Sequence, residues 1–174
     1  MKPASLKWLP NAITISRLLF IIPYAWLLLK HADKNTALGL GFLIVLSDKL
    51  DGTLARRLHA ESKFGEFMDS LAVTIFVLLS WILFYWNGEF NLIVLLLLLL
   101  PRPLIGISLI AYRIQKKRWN TSHTSGNRFG GVINFIAILW LLSGLPFALH
   151  LLWGMIVLNY FAVLFSIMER FRTA

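Results

Sequence analysis

Apolar segments of membrane-crossing length recur six times along this chain, and no other feature limits its fold so strongly. A spanning helix needs about 20 predominantly apolar residues. The hydrocarbon interior offers no water to unpaired backbone groups, so each such segment must close its own hydrogen bonds as a helix. Six stretches qualify: 12–29, 36–58, 62–86, 91–112, 129–143 and 146–168. The fifth is short and flanked by Gly130, Gly131 and Gly144. The first three carry polar residues that lower their hydropathy. The expectation is an all-α integral membrane protein with six transmembrane helices, a single domain over residues 1–174. A hydrophobic content of 58% and a mean hydropathy of +0.73 exclude an ordinary soluble domain. The N-terminus has the lysines and apolar run of a signal peptide, but Arg17 and Pro23 interrupt the run and further spans follow, so it reads as a retained first helix.

The chain has no cysteine, which excludes a thiolate nucleophile, a cysteine-based zinc site and a disulfide framework. The net charge is +9. No basic, aromatic-interleaved soluble segment carries it, so the excess reads as topology and anionic lipid headgroups rather than nucleic acid. Six spans put both termini on one side. That side collects Lys2, Lys7, Arg56, Arg57, Lys63, Arg113, Lys116, Lys117, Arg118, Arg128, Arg170 and Arg172; the other has only Lys30 and Lys34. The positive-inside rule therefore places both termini in the cytoplasm.

Against this background, Asp48, Asp51 and Asp69 stand out. Acids at membrane depth are costly and usually mark a pathway or site. The second segment runs toward the cytoplasm and the third runs back, so Asp51 and Asp69 each lie about 10 Å inside a helix end. Asp48 and Asp51, three apart, share a helix face. Gly52 and Gly65 let the two backbones approach. The three acids have no equally placed basic partners, and a divalent metal is the simplest neutralising partner for three oxygen donors. The bland alternative is an ion pair with Lys49, Arg56 or Arg57.

The full spacing is D-x2-D-G-x2-A-R-x8-G-x3-D: Asp48, Asp51, Gly52, Ala55, Arg56, Gly65 and Asp69. It resembles the signature of the CDP-alcohol phosphatidyltransferase family. The run Pro10-Asn11-Ala12-Ile13-Thr14-Ile15-Ser16-Arg17 is similar to the opening of its bacterial phosphatidylglycerophosphate and cardiolipin synthase branch. The resemblance implies the family's six-span fold, a homodimer, and a place in the bacterial inner membrane. It implies transfer of a phosphatidyl group from CDP-diacylglycerol to a small alcohol, glycerol 3-phosphate in this branch, with release of CMP during phospholipid synthesis. It implies Mg2+ or Mn2+ on Asp48, Asp51 and Asp69, and a CDP pocket at the seven motif positions. Asn11, Arg17, Arg102 and Arg128 are candidates for binding the acceptor or a phosphate.

One letter departs from the pattern. The family's signature ends with a further acid four residues after the third, where it is the proposed general base and helps to bind a second metal; here that position is Val73. Glu66 lies one turn the other way, and Ser70 and Thr74 are not bases at neutral pH. Two departures recur later, where proline follows Arg102 and Asn127 replaces the usual lysine one residue before Arg128. The expectation is therefore an enzyme of this class, with a rival: a catalytically impaired member that binds CDP-lipid or a partner without turnover. A small cation transporter is a third class.

Overall fold

The computed structural model describes residues 9–31, 33–58, 63–116, 125–145 and 147–172; side chains are described for 16–31, 33–47, 68–108, 110–112, 114, 129–145, 147, 149–169 and 171. Among the described residues every regular element is a helix: α1 (Leu9–Leu29), α2 (Lys34–Leu58), α3 (Lys63–Trp86), α4 (Leu92–Leu99), α5 (Pro101–Lys116), α6 (Ser125–Ser143) and α7 (Ala148–Arg172). Three stretches, Met68–Trp86, Leu92–Tyr112 and Leu149–Glu169, are long and apolar enough to cross a membrane. Shorter apolar stretches occupy Ser16–Leu29, Lys34–Ser47 and Phe129–Ser143. The six expected segments thus all form helices, and the chain is an integral membrane protein.

The fourth segment differs from expectation in being two helices. Pro101 and Pro103 have no N–H to give to the carbonyls four residues back, so the ladder is interrupted there. Leu100 nonetheless keeps helical angles, φ −56° and ψ −36°, and bonds on both sides, Leu100 N to Leu96 O at 3.0 Å and Leu104 N to Leu100 O at 3.2 Å. The chain therefore runs through α4 and α5 as one apolar stretch with a weakened joint.

The chain forms two compact units, Met1–Asn87 and Gly88–Ala174. In the first, α1 packs on both α2 and α3. A buried stripe on α1, Arg17, Ile21, Tyr24 and Leu28, recurs every three or four residues and so occupies one helix face. It meets a matching stripe on α3. Tyr24 stacks obliquely on Phe76 at 5.1 Å between ring centroids, and its hydroxyl shares a 2.9 Å hydrogen bond with the Ser80 hydroxyl. Asn87 Nδ2 donates to the Leu28 carbonyl at 3.0 Å. Later residues of α1 meet later residues of α3, so these helices run parallel. The turn before α2 is closed by Asp33. Its carboxylate accepts from the Asn35 and Thr36 N–H groups, at 3.0 and 3.1 Å, and from the Thr36 hydroxyl at 2.5 Å. Those N–H groups have no partner inside the helix, and an aspartate cap supplies one.

In the second unit α7 packs against α5 and α6. The α6–α7 hairpin turns through Gly144, at φ +63°. Its seam buries Ala137, Ile138 and Leu141 of α6 with Leu152, Ile156 and Val163 of α7. Gly130 is tight in this seam, because a Cβ there would lie 3.2 Å from Asn159 Oδ1. The buried polar groups Asn134, Asn159 and Ser166 lie on the same two helices, and Asn134 Nδ2 donates to the Gly130 carbonyl at 2.7 Å.

Candidate functional site

Arg17 organises the described part of the site. Its side chain is completely buried on α1. A guanidinium stays protonated in proteins and presents donors in a fixed planar fork, so burying one demands acceptors. The structure supplies them from two other helices. Nη1 donates to Asp69 Oδ1 on α3 at 2.6 Å, and Nε donates to Ser47 Oγ on α2 at 3.3 Å. The Ser47 hydroxyl in turn donates a hydrogen bond to the Ile44 carbonyl at 2.7 Å. Ser47 is the residue before Asp48. Arg17 thus ties α1 to both helices that carry the acidic motif.

The depths agree. Arg17 lies eight residues beyond the first residue of α1 and Asp69 six beyond the first of α3, about 12 Å and 9 Å along two parallel helices at 1.5 Å per residue. Asp69 keeps 38% of its side chain exposed. It remains a reachable oxygen donor with one oxygen engaged by Arg17, and a carboxylate has further lone pairs to give. That chemistry fits one ligand of a hard divalent cation.

The expectation that the acids lack an equally placed basic partner does not hold for Asp69, whose partner among the described residues is Arg17; the side chains of Lys49, Arg56 and Arg57 lie outside the described residues. A signal for this pairing existed: an arginine inside an apolar segment needs a counter-charge, and Arg17 and Asp69 lie at similar distances from the starts of their helices. The side chains of Asn11, Asp48, Asp51, Gly52, Ala55, Arg56, Gly65 and Arg128 lie outside the described residues, although the helical backbones of α1, α2, α3 and α6 run through these positions. Among the described residues no three His, Asp or Glu side chains converge as a metal cluster. Arg102 is half-buried in the first turn of α5, in the second unit.

Val73 lies four residues beyond Asp69 on α3 and is half-buried. It therefore occupies the same face one turn deeper. Next to it on the helix, the Thr74 hydroxyl donates to the Ser70 carbonyl at 2.8 Å.

A sequence profile of the CDP-alcohol phosphatidyltransferase family matches residues 7–168. The chain belongs to the CDP-alcohol phosphatidyltransferase family. The match takes in α1 to α6 and most of α7, and it contains Arg17, the whole acidic motif and Val73. The family is one of phosphotransferases that move a phosphatidyl group from a CDP-alcohol to an alcohol in phospholipid synthesis, generally with a divalent metal. Within this phosphatidyltransferase fold, Asp69 is the described member of the motif, and Arg17 is the side chain that holds it.

Proposed function

We propose that this chain transfers the phosphatidyl group of CDP-diacylglycerol to glycerol 3-phosphate. The acceptor hydroxyl oxygen bonds to the phosphatidyl phosphorus, the bond from that phosphorus to the CMP oxygen breaks, CMP leaves, and the hydroxyl proton departs to a base or water. The observation that carries this reading is the seven-residue motif, Asp48 to Asp69, lying whole within the matched stretch. The acceptor choice rests on the Pro10 to Arg17 run, which is similar to the phosphatidylglycerophosphate synthase branch.

The residues have distinct tasks. Asp48, Asp51 and Asp69 would hold Mg2+ or Mn2+, which when bound would supply positive charge to the donor's pyrophosphate. Gly52, Ala55 and Gly65 leave room for the nucleotide between α2 and α3, and Arg56 pairs with phosphate through its planar fork. Arg102 and Arg128, with Asn11, are the acceptor-side candidates. The protein works as a homodimer of single six-span domains in the bacterial inner membrane, with both termini and the acids on the cytoplasmic side.

Val73 favours a second reading. An aliphatic side chain can neither take the acceptor proton nor ligate metal, so a member with valine here binds CDP-lipid without turnover unless another base serves. Reconstituted protein distinguishes the two. The enzyme reading expects CMP release from CDP-diacylglycerol that requires Mg2+ or Mn2+ and disappears in Asp69→Asn. Metal-dependent CDP binding without CMP release supports the second reading. Val73→Asp then tests the missing base: recovery of one is worth about 10²–10⁴ in rate, whereas an unchanged rate assigns proton removal elsewhere.

A further inference from the structure

We propose that Arg17 is the resident counter-charge of the metal site, a positioning residue that neutralises and holds Asp69 when no divalent cation is bound and that lowers the site's affinity for the cation. This rests on the assignment of Asp69 as a metal ligand above. The geometry has three parts. Among the described residues Arg17 is the one wholly buried charged side chain, so its charge is poorly screened by water. It does not grip Asp69 as a two-pronged fork. It gives Nη1 to Oδ1 and turns Nε to Ser47 on another helix, which leaves the carboxylate able to accept an ion. Asp69 is the more exposed partner of the pair, at 38% against 0% for Arg17, so an incoming ion approaches the acid and not the arginine.

The sign of the effect follows. A metal ion on Asp69 sits within a few ångströms of a guanidinium that cannot lose its proton, and like charges repel whether or not the Nη1 contact survives. Whatever Arg17 contributes to the metal-free state beyond its contribution to the loaded state is subtracted from metal affinity, because the coupling is reciprocal. In exchange, Asp69 is held at its place between α1 and α3 before the ion arrives. A purely structural salt bridge has no such link to metal.

The test is Mn2+ titration of the purified, metal-stripped full chain in detergent, without nucleotide, with free Mn2+ followed by electron paramagnetic resonance. Arg17→Gln keeps a donor and removes the charge; it tightens Mn2+ binding about tenfold, within the ~5–150-fold span of typical coupled sites. Arg17→Lys keeps the charge and stays near wild type. Unchanged or weaker binding by Arg17→Gln, while Asp69→Asn still loses the ion, overturns this inference and leaves the metal assignment standing. Binding that survives in Asp69→Asn overturns the metal assignment and the inference with it. If Arg17→Gln does not withstand metal stripping, its thermal unfolding with and without saturating Mn2+ replaces the titration. A larger Mn2+-induced stabilisation than in wild type supports the counter-charge, and an equal or smaller one overturns it.

Discussion

Removing either partner of the Arg17–Asp69 pair has unequal consequences, because the two sit in different surroundings. Arg17 is entirely buried, whereas Asp69 keeps 38% of its side chain exposed. Asp69→Ala takes the carboxylate from a cation that water does not reach. Breaking a buried pair in this way costs about 3–5 kcal/mol, and the half-open position of Asp69 discounts this to about 2–3 kcal/mol. Arg17→Met leaves an acid that water can still hydrate and fills the arginine's place with an unbranched apolar chain, so it costs about 1 kcal/mol. The double variant removes both charges and falls well short of the sum of the two losses, by about 1 kcal/mol or more. The assay is reversible unfolding in mixed micelles with EDTA present, followed by the fluorescence of the seven tryptophans. Equal costs for the two single changes, or losses that simply add in the double variant, refute the reasoning that burial asymmetry governs this pair.

Three further outcomes follow from the packing. Tyr24→Phe removes the 2.9 Å hydrogen bond to Ser80 but leaves the Ser80 hydroxyl donating to the Phe76 carbonyl at 2.7 Å, so the unfolding assay shows a loss of about 0.5–1.5 kcal/mol and no more. Gly130→Leu forces a side chain into a seam where even a Cβ would lie 3.2 Å from Asn159 Oδ1, and it costs about 1–3 kcal/mol as α6 and α7 are pushed apart. The Asp33 carboxyl is held below its ordinary range by the Thr36 hydroxyl first, then by the Asn35 and Thr36 N–H groups. A depressed folded value means that its contribution is full above the unfolded value of about 4 and is lost as pH falls through the folded one. The stability difference between wild type and Asp33→Ala, measured by far-UV circular dichroism, is therefore constant at neutral pH and shrinks only below about pH 4.

Much of the fold was legible because its causes are local. Apolar length marks a spanning segment whatever its neighbours are, and the six segments are helices. Asp33 and Asn91 are helix caps, Asn91 Oδ1 accepting from Val94 N at 3.1 Å. The proline pair at 101 and 103 was visible too, but hydropathy does not register a missing N–H, so the division of the fourth segment into α4 and α5 was not anticipated. At the site, the motif spacing identified the acids and the family. It did not reveal what Asp69 touches, because Arg17 lies on another helix, 52 positions away, and spacing within α2 and α3 does not encode how α1 packs on them.

The order of residues alone settles that this chain lives in a membrane, that its six apolar segments are helical, and that the chain carries an acidic motif of the phosphatidyltransferase family. Those properties depend on helical period, apolar length and spacing, all of which act over a few turns of one segment. The choice of a partner for a buried charge does not. Arg17 and Asp69 are 52 positions apart, and they meet because α1 and α3 lie parallel with their starts at nearly one level while Ser47 on α2 accepts from Arg17 Nε. Only the packed arrangement of three helices decides that, since a guanidinium in a water-poor interior goes to whichever acceptors the assembled helices bring within its reach.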